Sequence, residues 1–323
     1  MAVSVALPYH LYHRRSLNLG DIDPSYRMLL YICDRFELNQ EQRYWLAFVY
    51  SLTYCGASTY YVYNEFPDFE CVDLNRMENW WSPGGRERIL CQTDRRWVRS
   101  NDLFVPAVEA WIRMIGGETQ HEYFEHYTQS LQSPEARYER IYKRCSILPS
   151  FGQFSLFLLT EALHTITPLN LISTELDLNQ AWSCRNGLCH AYQLPYVTDK
   201  NVLKIPSDGR QEILSAWQHL RETQPGTVWQ FETTLCAYAK WEKGARWIGY
   251  YLDRQAVEIA KMEFRAPGVC WDVLWQYRAE SYDSAYLVEN NYSSKQLNKG
   301  IPSDWKFRQM ARTRRVIEDQ EKL

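Results

Sequence analysis

Charged, sulfur-containing and aromatic side chains are concentrated in the segment ETTLCAYAKWEKGARWIGYYLDR. If this segment is helical, Glu232, Cys236 and Lys240 recur every four residues and share one helix face. Thr233 and Lys243 lie beside that face. A carboxylate, a thiol and an ammonium group in one stripe can bind and activate a charged substrate. The alternative is a solvent-exposed face stabilised by Glu and Lys pairs one turn apart.

The same segment continues with cations and an aromatic residue at helical spacing. Arg246, Tyr250 and Arg254 recur every four residues. Guanidinium groups bind phosphate oxygens through paired hydrogen bonds, and a tyrosine can pack against a base rotated out of the duplex. This spacing therefore predicts a phosphate clamp beside a flipped base.

Two further groups of polar residues fit contacts to DNA or to a leaving group. Arg95, Arg96 and Arg99 surround a tryptophan in TDRRWVRSND, where arginines can bind phosphates while the indole stacks. The solvated start of a helix would have the same composition. In SCRNGL, Arg185 and Asn186 combine a guanidinium and an amide in one turn.

A tight turn between two helices is predicted at LPSFGQFS. Its Leu-Pro-x-x-Gly pattern resembles the helix–hairpin–helix turn of DNA glycosylase-type proteins. Gly152 would permit the turn, and the helix that starts near Gln153 would offer unpaired N–H groups to a DNA phosphate. Phe151 departs from the small or β-branched residue usual there, and a turn between core helices would look similar.

Standard motifs for several enzyme classes are absent from the sequence. It contains no GxxxxGK[ST] phosphate loop, no GxGxxG, no HExxH and no GxSxG, which argues against a kinase, a Rossmann dehydrogenase and an α/β-hydrolase. Cys184, Cys189 and His190 are close in sequence, but cysteines five residues apart share a helix face poorly and no second pair has zinc spacing. We therefore expect buried thiols and no metal site.

The elements that must position these residues are predicted to be helices. Ser133-Pro134-Glu135 has the pattern of an N-cap, a first-turn proline and an acidic first turn, and Asp23-Pro24 also suggests an N-cap. FGQFSLFLLTEALHTI is apolar almost all round, as expected of a central buried helix. Strand signals are nearly absent. The prediction is an all-α, multi-helical fold with a helix–hairpin–helix element.

The domain prediction is a single helical unit over residues 1–323. The least regular part of the sequence, rich in Pro, Asn, Asp and Ser, suggests a division into an N-terminal lobe, 1–165, and a C-terminal lobe, 166–323. No internal repeat and no coiled-coil heptad is evident.

Composition restricts the class of protein. A net charge of −3 argues against a protein that coats DNA non-specifically, although a local cationic cleft remains compatible with it. Aromatic residues make up 15% of the chain, which suits a large core and also stacking surfaces. The 9 cysteines are scattered, as in proteins of a reducing compartment. Without a signal peptide pattern or a long apolar run, we expect a cytoplasmic location and no membrane contact.

Five segments in this order resemble one family. They are WLAFVYSLTYCGASTYYVYNEFP, TDRRWVRSND, LPSFGQFS, SCRNGL and ETTLCAYAKW with RWIGYYLDR. Together they are similar to the alpha-glutamyl/putrescinyl thymine pyrophosphorylase-type proteins, the amino acid:DNA transferases of bacteriophages, over about residues 25–285.

The resemblance implies an enzyme that hypermodifies thymine in phage DNA. A partner kinase would pyrophosphorylate 5-hydroxymethyluracil, and the amine of an amino acid such as glycine, or of a polyamine, would then displace pyrophosphate from the exocyclic methylene. The product would shield the DNA from host nucleases. The location would be the host cytoplasm. No cofactor is implied, although a divalent cation bridging the pyrophosphate stays open.

Within that scheme, the charges of the candidate residues are matched to the charges of the reacting groups. Arg246 and Arg254, with Lys240 or Lys243, would hold the pyrophosphate, and Glu232 would orient or deprotonate the amine. The segments above predict further contacts to the substrate or to DNA, namely Tyr250, Arg185, Asn186, Arg95, Arg96, Arg99, Gly152 and Gln153. Two alternatives remain at this stage, a helix–hairpin–helix DNA glycosylase or lyase and a non-catalytic DNA-binding phage factor. The hairpin supplies neither the lysine nor the early aspartate that a glycosylase or lyase would need.

Overall fold

The computed structural model describes residues 7–91, 96–199, 202, 204–243 and 246–282. Within these residues every regular element is a helix, which confirms the predicted all-α fold. No helix in this part of the chain is long and apolar enough to cross a membrane.

The helices up to the middle of the chain are connected by short turns. In chain order they are α1 (Leu7–Leu19), α2 (Ser25–Arg35), α3 (Gln40–Thr53), α4 (Gly56–Glu65), α5 (Leu74–Trp80), α6 (Arg86–Arg88), α7 (Arg96–Ser100), α8 (Phe104–Ile115), α9 (Gln120–Thr128), α10 (Pro134–Cys145) and α11 (Gln153–Ile166). A 3-10 turn at Phe69–Cys71 and an irregular helical turn at Trp81–Gly85 lie on either side of α5.

The remaining helices follow a longer irregular segment that ends near residue 181. They are α12 (Trp182–Ala191), α13 (Arg210–Thr223), α14 (Val228–Glu242), α15 (Tyr250–Arg265) and α16 (Asp272–Ser281). Two helix pairs have the most extensive contacts, α3 with α11 and α12 with α14.

Capping residues fix several of these boundaries, and one predicted cap is wrong. The Ser133 hydroxyl accepts a hydrogen bond from the Ala136 N–H at 3.1 Å, as predicted for the start of α10. Asp23 does not cap α2, because Pro24 is the N-cap and no side chain accepts from the first turn. The Asp23 carboxylate instead binds residues far away in sequence, as described below.

The core is rich in aromatic side chains. The rings of Phe48 and Trp111 stack with centroids 4.4 Å apart, and those of Trp81 and Phe104 stack at 4.5 Å. Helix α11 contributes ten buried residues, which confirms the prediction of a central buried helix. Most of the described aromatic residues therefore fill the core and are not available to stack on bases.

Contacts join the two predicted lobes. The Tyr9 hydroxyl in α1 lies 3.1 Å from the Thr234 hydroxyl in α14, and His13 Nδ1 lies 3.0 Å from the same oxygen. Buried residues from both halves also form one hydrophobic cluster. The boundary at residue 165 stays a prediction.

The predicted hairpin connects α10 to α11. Ser150 has a left-handed backbone there, with φ of 64°, whereas Gly152 is the N-cap of α11 with φ of −82°. The turn therefore does not depend on a positive φ at the glycine. Its identity as a helix–hairpin–helix element stays a prediction.

Candidate active site

A cavity of about 970 Å³ lies where α14 and α15 face the turn before α11 and the irregular segment before α12. The polar side chains that line it include Asp23, Tyr54, Gln153, Ser183, Glu232, Thr233, Cys236, Lys240, Arg246, Tyr251, Arg254 and Glu258. Acidic, cationic and sulfur-containing groups thus face the same open cavity.

The close approach of α12 and α14 forms one wall of the cavity. Gly187 on α12 faces the backbone of Leu235 on α14, where a β-carbon would lie 1.9 Å from the carbonyl oxygen. Only glycine fits at this distance. The helices therefore pack backbone to backbone, which brings the first turn of α12 against the middle of α14.

Two polar contacts result from this packing. The Cys184 thiol donates to Glu232 Oε1 at 3.3 Å, and the Ser183 hydroxyl lies 3.2 Å from the Cys236 sulfur. Cys184 is fully buried, whereas Cys236 is half-buried and lines the cavity. Glu232 and Cys236 therefore each have a polar partner on α12.

The two thiols differ in their electrostatic environment. The neighbouring Cys184 thiol lowers the pKa of Cys236 well below its usual value. The positive charges of Arg246 and Lys240 also lower it, whereas burial acts in the opposite direction. The proximity of Cys236, burial and the Glu232 carboxylate raise the pKa of Cys184. Of these two thiols, Cys236 is therefore the one whose surroundings favour the thiolate.

Three cations line the cavity within the described residues, namely Lys240, Arg246 and Arg254. The Arg246 guanidinium lies 5.0 Å from the centre of the Tyr251 ring and donates a hydrogen bond to its hydroxyl. Arg254 Nε lies 3.0 Å from Glu258 Oε1, so its charge is partly balanced. These cations can stabilise a polyanionic group.

A buried carboxylate fixes the start of α15. Asp21 accepts hydrogen bonds from the N–H groups of Gly249, Tyr251 and Leu252 at 2.8 to 3.1 Å. Burial raises the pKa of Asp21 to about 8, although these N–H groups act in the opposite direction. Because Arg246 and Arg254 lie on either side of this helix start, Asp21 positions both of them.

A second aspartate reaches the cavity itself. Asp23 has a left-handed backbone, with φ of 42°, and accepts hydrogen bonds from the Tyr54 hydroxyl at 3.0 Å and the Thr233 hydroxyl at 2.5 Å. Burial raises the pKa of Asp23 and also that of the nearby Glu161. The sequence analysis missed Asp23 as a site residue, because its Asp-Pro pattern indicated a helix cap.

The structure brings together part of the predicted site. Glu232, Lys240, Arg246, Arg254, Gly152 and Gln153 all line the cavity. Tyr250 does not line it, but its ring lies 4.7 Å from the Arg246 guanidinium. Lys243 is exposed at the end of α14 and also does not line the cavity.

Two predicted substrate contacts bind the polypeptide itself. The fully buried Arg185 donates to the carbonyl oxygens of Leu178 at 2.7 Å and Val202 at 2.6 Å. Asn186 pairs with the backbone of Thr198 through bonds of 2.6 and 3.0 Å. Both side chains hold the irregular segments against α12, and neither lines the cavity.

The predicted basic group at TDRRWVRSND lies partly outside the described residues. Arg95 is outside them, and Arg96 begins the short helix α7. Arg99 is half-buried and is not among the residues that line the cavity. A role for this group in binding DNA stays a prediction.

Metal ligands are not grouped in the described part of the chain. No set of three or more His, Cys, Asp or Glu side chains there could hold a metal ion. Cys184 and Cys189 are buried, and His190 pairs with Glu242 at 3.1 Å. The polar groups that line the cavity include carboxyl, thiol, hydroxyl and cationic side chains.

Comparison with known proteins matches this chain to one family and one named relative. A family profile described as amino acid:DNA transferase matches residues 17–246, which include both aspartates of the α1–α2 turn and all of α14. A protein of Salmonella phage ViI named serinyltransferase is 25% identical over 277 residues. The match covers 77% of this chain and 66% of that relative, so the chain spans about two thirds of the relative's length.

Proposed function

The chain belongs to the amino acid:DNA transferase family, and we propose that it transfers an amino acid onto the exocyclic methylene of 5-pyrophosphoryloxymethyluracil in DNA. The amine of the amino acid attacks the methylene carbon, the carbon–oxygen bond breaks, and pyrophosphate leaves. The product is a hypermodified thymine. An upstream kinase acting on 5-hydroxymethyluracil would supply the activated base, and the modified DNA would resist nucleases.

One observation carries this proposal: a single cavity combines cations for a polyanionic leaving group with carboxyl groups for an amine. Lys240, Arg246 and Arg254 face it together with Asp23 and Glu232. Negative charge develops on pyrophosphate as it leaves, and pre-positioned cations stabilise that charge. An ammonium group must lose a proton before it can attack, and a carboxylate within reach can accept that proton.

We assign roles to the lining residues on this basis. Arg246 and Arg254, assisted by Lys240, bind the pyrophosphate group, and Glu232 accepts the amine proton. Asp23 orients the amine, because Tyr54 and Thr233 fix the position of its side chain. The start of α11 at Gly152 and Gln153 lies at the same cavity and offers N–H groups to a DNA phosphate.

Serine is the first amino acid to test, because the phage ViI relative is named a serinyltransferase. Glycine and a polyamine such as putrescine form the comparison set. A cavity of about 970 Å³ has room for a flipped base together with a small amino acid. The scheme needs no metal, so transfer should continue in EDTA, and loss of transfer in EDTA would indicate a divalent ion that bridges the pyrophosphate.

The test is incubation of the protein with duplex DNA that contains 5-pyrophosphoryloxymethyluracil and each amine in turn, followed by nucleoside mass spectrometry. We expect a nucleoside whose mass corresponds to replacement of pyrophosphate by the amine. Arg246→Ala should abolish most of the product, whereas Arg113→Ala, at an exposed arginine paired with Glu109, serves as the matched control. Unchanged nucleosides with every amine would refute the proposal, and release of a free base would indicate a glycosylase.

A further inference from the structure

Cys236 is the one thiol among the described residues that line the cavity, and the mechanism above does not use it. It lies one helical turn from Glu232 and one turn from Lys240 on the same face of α14. Its sulfur is 3.2 Å from the Ser183 hydroxyl. The thiol is thus placed between the carboxylate that would accept the amine proton and a cation that would bind the leaving group.

The surroundings of Cys236 favour its nucleophilic form. Arg246 and Lys240 provide positive charge, and the Ser183 hydroxyl lies within hydrogen-bond distance of the sulfur. Each of these lowers the pKa of Cys236. A thiol that only fills space in a core has no such set of partners and is inert, whereas a partly exposed thiol in a positive environment is reactive.

The charges in the cavity also suggest that the two substrates use it in turn. Lys240, Arg246 and Arg254 are its lining cations within the described residues, and Arg254 is already paired with Glu258. Pyrophosphate needs these cations while it leaves, and the carboxylate of an amino acid needs a cation to be bound. If pyrophosphate leaves first, the same cations can bind both groups successively.

We propose that Cys236 is a covalent catalyst, so that the transfer proceeds through a thioether between Cys236 and the base; this rests on the proposed function. The Cys236 thiolate attacks the exocyclic methylene, a carbon–sulfur bond forms, the carbon–oxygen bond breaks, and pyrophosphate departs with the bonding electrons. The amine of the amino acid then attacks the same methylene. A carbon–nitrogen bond forms, the carbon–sulfur bond breaks, and the thiolate is regenerated while the amine proton passes to Glu232.

The direct test omits the amino acid. Wild-type protein mixed with DNA that contains 5-pyrophosphoryloxymethyluracil should release about one equivalent of pyrophosphate per active site, as expected of a covalent intermediate. Denaturing electrophoresis and intact-mass spectrometry should show a protein–DNA adduct, and peptide mapping should place the adduct at Cys236. Addition of serine should convert the adduct to free protein and modified DNA.

Variants separate a covalent role from a structural one. Cys236→Ser keeps the size of the side chain and its contact with Ser183, but its hydroxyl stays protonated, so the burst, the adduct and the transfer should each fall by on the order of a hundredfold or more. Cys71→Ser is the matched control, because Cys71 is an exposed thiol that does not line the cavity. It should retain all three activities.

Failure of this inference can be distinguished from failure of the proposed function. One outcome is that the wild-type protein transfers an amino acid and yet releases no pyrophosphate and forms no adduct when the amino acid is omitted. In that case the amine attacks directly and Cys236 is not a nucleophile. Wild-type transfer rates in Cys236→Ser would lead to the same conclusion. If the wild-type protein gives no pyrophosphate, no adduct and no modified nucleoside, both proposals are wrong.

Discussion

Replacement of Gly187 by alanine tests whether the close approach of α12 and α14 forms the site. The added β-carbon would lie 1.9 Å from the Leu235 carbonyl oxygen, whereas ordinary van der Waals contact begins at 3.4 Å. Because both atoms belong to the packed backbones of two helices, the helices must separate by roughly 1.5 Å to accommodate the new atom. Overpacking of this kind costs about 1–3 kcal/mol of unfolding free energy.

The effect on activity should exceed the effect on stability. Separation of the helices by this amount would take the Cys184–Glu232 contact of 3.3 Å and the Ser183–Cys236 contact of 3.2 Å beyond hydrogen-bond distance. Misplacement of reacting groups by about 1 Å can reduce a rate by on the order of a hundredfold. We therefore expect Gly187→Ala to remain folded at ambient temperature while it loses most of its transfer activity.

Far-ultraviolet circular dichroism would measure the melting temperature, and nucleoside mass spectrometry would measure the transfer rate. The melting temperature should fall by a few degrees, since each kcal/mol lowers it by about 2–4 °C in proteins of about 150–250 residues and by less in longer chains. Gly268→Ala is the control, since a β-carbon at this exposed glycine meets no atom within 4 Å. If Gly187→Ala melts and reacts like the wild-type protein, α12 and α14 do not pack as described.

Three further predictions concern charged groups. Arg246→Ala should reduce the transfer rate by about a hundredfold or more. Arg246→Lys should retain part of the rate, because an ammonium group cannot make the bidentate hydrogen bonds of a guanidinium. Glu232→Gln should reduce transfer at neutral pH, with partial recovery at higher pH as free amine becomes abundant; a parallel loss at every pH would contradict the role of a base. Burial raises the pKa of Asp21 from 3.8 to about 8, so the native state binds this proton more tightly, and stability should fall as pH rises from about 4 to about 8. Denaturant titrations should show a weaker dependence in Asp21→Asn, and an unchanged slope would refute this account.

Local sequence patterns predicted much of the helical structure. The N-cap at Ser133 and the apolar segment of α11 were identified correctly, because hydrogen bonds within one turn and periodic burial leave a signature in neighbouring residues. The cap assigned to Asp23 was wrong because the hydrogen bonds of this side chain are not local. The partners of its carboxylate, Tyr54 and Thr233, are distant in sequence, and no local pattern indicates that these long-range bonds replace the cap.

Sequence spacing predicted those site residues that lie on one helix or on the segment that follows it. Glu232, Lys240, Arg246 and Arg254 were grouped by helical spacing, and they line one cavity, although Arg246 lies between α14 and α15 and not on a helix. Arg185 shows the limit of this reasoning, because a guanidinium that binds carbonyl oxygens in the protein has the same sequence signature as one that binds phosphate. Only its position, fully buried and bonded to Leu178 and Val202, distinguishes the two.

The short turn between α1 and α2 connects the parts of the cavity. Asp21 in this turn binds the first N–H groups of α15, and Asp23, two residues later, binds Thr233 on α14 and Tyr54 at the end of α3. Because one turn holds three helices, the distance between Arg254 of α15 and the carboxylate of Glu232 depends on residues from the start of the chain. The cavity therefore belongs to the fold as a whole and not to the predicted C-terminal lobe, even though most of its charged residues come from that lobe.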